Sequence, residues 1–233
     1  MTIISDSLQA VQANILLAKI NSSLQDTVFL VAVSKAQTAD RVKEAYHAGQ
    51  AAFGENYLQE AMIKQNLLTD CNIEWHFIGP IQSNKTQLIA QHFSWVQSVD
   101  RLKIAQRLSN ARGDTLPPLN VCIQLNSSNE ASKSGIQTQE LIALAKAITD
   151  LPNLTLRGVM AIPAPTHDVA KQREQFQLVK AAFLALQEHG FAVDTLSIGM
   201  SDDYMVAIEE GATMVRVGSA IFGARTSVKN NEE

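Results

Sequence analysis

The sequence is poor in cysteine, in positive charge and in long apolar runs. Of its 233 residues only two are cysteines, Cys71 and Cys122, too few and too far apart for a disulfide framework or a zinc site. Each lies beside a β-rich run, where a small apolar core thiol is the expected role. Lys and Arg number 19 against 23 Asp and Glu, a formal net charge of −4. Contacts to a phosphate backbone need a basic patch, so this balance argues against a nucleic-acid partner. No run of about 18 apolar residues is there to cross a membrane. The opening MTIISDSLQA lacks the basic segment and apolar core of a secretory signal. A cytoplasmic protein is the expectation. Low-complexity tracts, linkers and internal repeats are missing too.

What is present is a globular composition, 46% hydrophobic and 18% charged. Ile4, Leu8, Val11, Ile15 and Ala18 step by three or four and predict an amphipathic N-terminal helix. Eight β-rich runs follow: 29–33, 51–54, 73–78, 93–99, 120–125, 154–162, 195–199 and 213–217. Helical patterns alternate with them, among them Thr138–Thr149, with Thr138 as N-cap, and Val169–His189, ending at Gly190. Phe-Leu-Val-Ala-Val at 29–33 is apolar throughout, as in a parallel strand buried on both faces. Eight βα units predict an α/β fold, a single (β/α)8 TIM barrel over residues 1–233 with an extra N-terminal helix. A doubly wound open sheet is the alternative, one strand away. The tail Lys229–Glu233 is expected to fray.

Barrels of this kind carry their chemistry where the strands end. The last two ends are the most distinctive. Gly199-Met200-Ser201-Asp202-Asp203 opens a helix with Ser201 as N-cap, and Arg216-Val217-Gly218-Ser219 offers backbone amides that glycine lets a ligand approach. Loops after strands seven and eight often hold phosphate, although a pair of ordinary glycine turns reads the same way. Lys35 directly follows an apolar strand. By position alone a solvated lysine is the commoner role, but desolvation would free its amine to attack an aldehyde. A lysine beside a phosphate site matches the needs of pyridoxal 5'-phosphate. Arg216 would then face the pyridine nitrogen and, permanently charged, make the ring a weak electron sink; an ion pair at the rim is the competing role.

Other candidates carry less. His76 lies within a strand, where a hydrogen-bonded interior ring is commoner than a proton shuttle. Asn56 can donate to a ring oxygen or hold a turn. The Ser132-Lys133-Ser134-Gly135 turn suits a solvated loop better than an anion site. Asp202-Asp203 fits compensation of a helix N-terminus better than metal binding, and no metal spacing is seen.

At these residues the chain resembles the pyridoxal phosphate homeostasis protein family, whose barrel is of the alanine-racemase N-terminal-domain type. The matching strings are LVAVSK at 30–35, FGENYLQE at 53–60, WHFIGPIQSNK at 75–85, SKSGI at 132–136, LRGVMAIP at 156–163, GMSDD at 199–203 and MVRVGSAIFGAR at 214–225. The resemblance implies a covalent Schiff base from Lys35 to pyridoxal 5'-phosphate, a phosphate cradle of Ser201, Gly218 and Ser219, and Arg216 at the pyridine nitrogen. It places Asn56 and His76 near the cofactor. Two departures stand out. The family usually continues Thr-Lys-Pro after the lysine where this chain has Ala36-Gln37-Thr38, and Ser219 stands where threonine is common.

The resemblance also implies vitamin B6 homeostasis, an indirect effect on amino-acid and keto-acid balance, and a monomer with no established reaction of its own. Apo pyridoxal-phosphate enzymes would be its partners. A racemase-like enzyme is the main alternative, and a barrel forming a Schiff base with a sugar phosphate a third. Racemisation needs acid–base groups on both faces of the substrate, and racemases of this fold take one from an added β domain. Here the barrel consumes the chain, which favours the carrier.

Overall fold

The protein is described by a computed structural model covering residues 2–22, 27–127 and 134–223. Eight parallel strands form a closed barrel in chain order: β1 (Phe29–Val33), β2 (Ala52–Glu55), β3 (Glu74–Phe77), β4 (Trp95–Val99), β5 (Leu119–Leu125), β6 (Leu154–Ala161), β7 (Thr195–Ser197) and β8 (Met214–Val217). β8 closes on β1, pairing Val31 with Arg216 and Ala32 with Val217. The barrel outcome removes the open-sheet alternative.

Helices surround it: α1 (Ile3–Ser22), α2 (Ala39–His47), α3 (Leu58–Leu67), α4 (Thr86–His92), α5 (Leu102–Arg112), α6 (Leu141–Thr149), α7 (Val169–Glu188), α8 (Tyr204–Glu209) and α9 (Ser219–Phe222). The larger core lies between strands and helices, where Phe53, Phe93, Ile104, Leu108 and Phe176 are fully buried. A separate small cluster of Val31, Trp95, Cys122, Met160 and Met214 fills the barrel interior. Both cysteines are free, and burial pushes the Cys122 thiol up to about 12. α1 buries the expected stripe of Ile4, Leu8, Val11, Ile15 and Ala18 against α2, α8 and α9. It therefore backs the two short helices that follow strands seven and eight.

Two helix starts differ from expectation. Thr138 does not cap α6. A 3-10 turn over Thr138–Glu140 comes first, and Gln137 caps it through a reciprocal box with Glu140. That exchange satisfies two amides at once, which a lone threonine cannot. Ser201 does not cap α8 either. It lies in the preceding turn, Asp203 flanks the helix, and the Asp203 carboxylate turns back to accept the Met200 amide at 2.6 Å. Elsewhere Asp168 caps α7 and Gly190, at φ +83°, follows its end. Ser132, Lys133 and the tail Lys229–Glu233 lie outside the described residues.

Candidate functional site

A cavity of about 270 Å³ opens at the C-terminal mouth of the barrel. Lys35, Asn56, Ser201, Arg216, Gly218 and Ser219 all line it, with Val33, Ile78 and Ile162 as apolar wall. Six of the seven site candidates thus meet in one place. His76 does not line the cavity; it sits in the barrel interior.

Lys35 follows β1 in a turn closed by the Gln37 amide on the Ser34 carbonyl at 3.0 Å. Ala36 in this turn has φ +60°, a region that costs a residue with a Cβ, so the turn needs outside support. A buried cluster supplies it. The Lys64 ammonium donates to the Ser34 carbonyl at 2.6 Å, to Glu55 at 2.7 Å and to Glu60 at 2.6 Å. Glu60 in turn accepts the Ala36 amide at 2.6 Å, and the Ser34 hydroxyl donates to Glu55 at 2.6 Å. The backbone is therefore gripped on both sides of Lys35. Burial holds the Glu55 carboxyl above the usual range against the pull of Lys64, and its Oε2 has no partner.

Opposite, the Ser201 hydroxyl accepts from the amides of Gly218 at 3.1 Å and Ala220 at 3.3 Å. Its own proton is left to donate. The Ser219 amide lies in the first turn of α9, where helix geometry supplies no carbonyl. Gly199, at φ +92°, packs so close that a Cβ would come within 2.7 Å of Ala207 Cβ. Gly218 is also tightly packed, since a Cβ would lie 3.1 Å from the Val33 carbonyl oxygen. Arg41 on α2 donates to the Phe222 carbonyl and ties down the far end of α9.

Arg216 is 3% exposed at the cavity floor. It donates to Ser197 Oγ at 2.6 Å and to the Ala161 carbonyl at 2.9 Å, and forms no salt bridge among the described residues. The rim ion pair is therefore not what this arginine makes. Burial brings it down to about 10, still cationic at neutral pH. Asn56 Oδ1 is buried at the cavity with no hydrogen-bond partner. A buried acceptor without a donor costs free energy, which marks a place where a ligand donor is expected.

His76 is fully buried, stacked on Trp95 with centroids 5.2 Å apart. Both ring nitrogens are used, Nε2 by Glu74 at 2.8 Å and Nδ1 by Gln97 at 2.9 Å. Burial holds its pKa below the usual histidine value, so the ring is neutral at pH 7. Asp202 also lines the cavity, and no cluster of metal-ligating side chains is found among the described residues.

Sequence reasoning missed Glu55, Glu60, Lys64, Gln97 and Ser197. Glu60 and Lys64 carried a signal, an i,i+4 pair on α3, but that spacing reads as a solvated helix face. Gln97 carried another, a large polar residue at the centre of the short β4 strand Trp-Val-Gln-Ser-Val.

The alanine racemase N-terminal domain family matches residues 7–226. A curated relative, the pyridoxal phosphate homeostasis protein of Pseudomonas aeruginosa, is 60% identical over 199 residues, 85% of each chain. PipY of Synechococcus elongatus PCC7942, solved with pyridoxal phosphate bound, superposes with TM-score 0.83 at 34% identity, covering 94% of this chain and all of that one. Alanine racemase from Corynebacterium glutamicum shares the fold, with TM-score 0.70 at 19% identity over 93% of this chain and 62% of its own.

Proposed function

Because the chain belongs to the pyridoxal phosphate homeostasis protein family, built on the alanine racemase N-terminal domain, we propose that it binds pyridoxal 5'-phosphate in this cavity through a Schiff base to Lys35. The observation that carries the reading is the meeting of an amine, a buried guanidinium, a hydroxyl with two amides and an orphaned acceptor around one cavity. Those donors fit the cofactor's parts. Ser201, Gly218 and Ser219 suit a phosphate: the Ser201 hydroxyl and the Ser219 amide can donate to it, and Gly218, its own amide held by Ser201, has no side chain to keep it away. Arg216 can only donate, so it suits an unprotonated ring nitrogen. Asn56 Oδ1 awaits a donor such as a ring hydroxyl. When bound, the cofactor supplies an aldehyde to which the Lys35 amine links with loss of water.

Delivery of the cofactor, not turnover, is the proposed role, with apo pyridoxal-phosphate enzymes as recipients and a monomer as the acting species. A guanidinium at the ring nitrogen disfavours ring protonation and leaves a poor electron sink. By the same reading residues 1–233 act as one cofactor-binding domain, and amino-acid balance is affected only through cofactor supply.

Borohydride reduction of the loaded protein should fix the cofactor to Lys35, read by peptide mass. Lys35→Ala should lose that link yet keep weaker binding through the cradle. A protein that takes up no cofactor overturns the binding reading. Amino-acid turnover that vanishes in Lys35→Ala overturns the carrier reading, and failure to load an apo enzyme faster than free cofactor does overturns direct delivery.

A further inference from the structure

A single chain of hydrogen bonds runs down the barrel interior from the candidate site to the opposite mouth. Arg216 Nη1 donates to Ser197 Oγ at 2.6 Å, and the Ser197 hydroxyl donates to Gln97 Oε1 at 2.7 Å. Gln97 Nε2 lies 2.9 Å from His76 Nδ1, and His76 Nε2 lies 2.8 Å from Glu74 Oε1. The ends dictate the direction. A guanidinium has no acceptor and an ionised carboxylate no donor, so every group between them has one allowed orientation. Ser197 must pass its proton toward Gln97, the Gln97 amide must donate to Nδ1, and the His76 proton must sit on Nε2. The second Gln97 N–H fits this orientation, since it meets Met214 Sδ at 3.1 Å. Bonds aligned in one sense polarise one another, more so in a low-dielectric interior.

Glu74 begins β3 at the far mouth, its side chain 40% exposed on a second cavity of about 520 Å³. The groups acting on it are the His76 and Trp95 side chains, through hydrogen bonds, and the charge of Arg157. Arg157 is itself engaged, with Asp194 at 3.0 and 2.5 Å, with Asn120 at 3.0 Å and over the Trp95 ring at 4.8 Å. Of the groups acting on Glu74, His76 is the one whose second hydrogen bond leads on to Gln97, so it carries the influence of Glu74 inward.

We propose that Glu74 is a positioning residue for Arg216, acting through His76, Gln97 and Ser197, so that the far mouth of the barrel sets how the guanidinium is presented to the cofactor ring. Its effect on the ring rests on the proposed function; its effect on Arg216 does not.

The test separates the two. In the cofactor-free protein, the side-chain N–H resonances of Arg216 are followed by nitrogen-15 NMR in wild type, Glu74→Gln, Ser197→Ala and the double variant. Glu74→Gln should move them in the wild-type background and leave them unmoved in Ser197→Ala. Resonances indifferent to Glu74→Gln overturn the proposal, as does a shift of equal size with Ser197 removed. Glu74 is half-exposed, so its substitution should leave the fold intact, and that single variant decides the matter should Ser197→Ala not fold. With nitrogen-15-labelled pyridoxal 5'-phosphate, Glu74→Gln should also move the ring-nitrogen resonance and weaken binding about threefold. A wild type that binds no cofactor overturns the proposed function and leaves the Arg216 result standing.

Discussion

Ser201 and Gly218 meet across the loops after β7 and β8, the serine hydroxyl accepting the glycine amide at 3.1 Å. One side chain thus holds two loops in register and keeps a proton for a ligand.

Ser201→Ala should therefore weaken pyridoxal 5'-phosphate binding about tenfold, the loss expected for one or two hydrogen bonds. Pyridoxal, which lacks the phosphate, should lose much less. Equilibrium dialysis with both compounds checks this; an equal loss for both would remove Ser201 from the phosphate cradle.

Asn56→Ala should separate stability from binding. Its Oδ1 is buried without a partner, so deletion should leave unfolding free energy within about 1 kcal/mol of wild type. Cofactor affinity should still fall about tenfold. Urea unfolding and a binding titration read the two effects, and a strongly destabilised variant with normal affinity would make Asn56 a structural residue.

Glu55→Gln should change how stability depends on pH. Burial raises the folded-state pKa of Glu55 above its ordinary value of 4.5, so the folded state holds this proton where the unfolded state has lost it. Its contribution is complete below 4.5 and is lost as pH rises through the folded value. Relative to wild type, Glu55→Gln should therefore become more stable from pH 4.5 upward. Urea midpoints measured at several pH values test the sign, and a difference that shrinks with pH refutes it.

Gly79→Ala should be costly. A Cβ there would lie 2.1 Å from the Asn56 carbonyl oxygen and 2.7 Å from its Cα, both backbone atoms that cannot swing aside. The Gly79 carbonyl also accepts from Ser98 Oγ at 2.5 Å, which anchors it from the other side. A loss of about 2 kcal/mol or more is expected, read by thermal unfolding. Cofactor binding should weaken too, because Asn56 moves with the clash.

The fold was legible because its signals are local. The apolar run Phe29–Val33 is a parallel strand as expected, although only Val31 and Ala32 are buried and Phe29 is exposed, and the spacing of Ile4, Leu8, Val11, Ile15 and Ala18 shows the buried stripe of α1. Helix starts were less so. Thr138 and Ser201 look alike as caps, but the reciprocal Gln137–Glu140 box and the backward turn of Asp203 decide those ends. The site was legible where residue type and strand end coincide, as for Lys35, Ser201 and Arg216.

Residue pattern alone was thus enough for the alternation of strands and helices and for the candidate residues at the strand ends, since each follows from a few neighbours in the chain, but it left an open sheet as the alternative to a closed barrel. Closure of the barrel made the rest. Ser197 and Gln97 are 100 positions apart, Gln97 and His76 are 21 apart, and Lys64 reaches Ser34 across 30. No periodicity links such partners. Ser197, Gln97 and His76 meet because inward-facing positions of different strands share one packed interior, and Lys64 reaches Ser34 because α3 packs its buried face beside the end of β1; in both places each buried polar group must find its mate among the others.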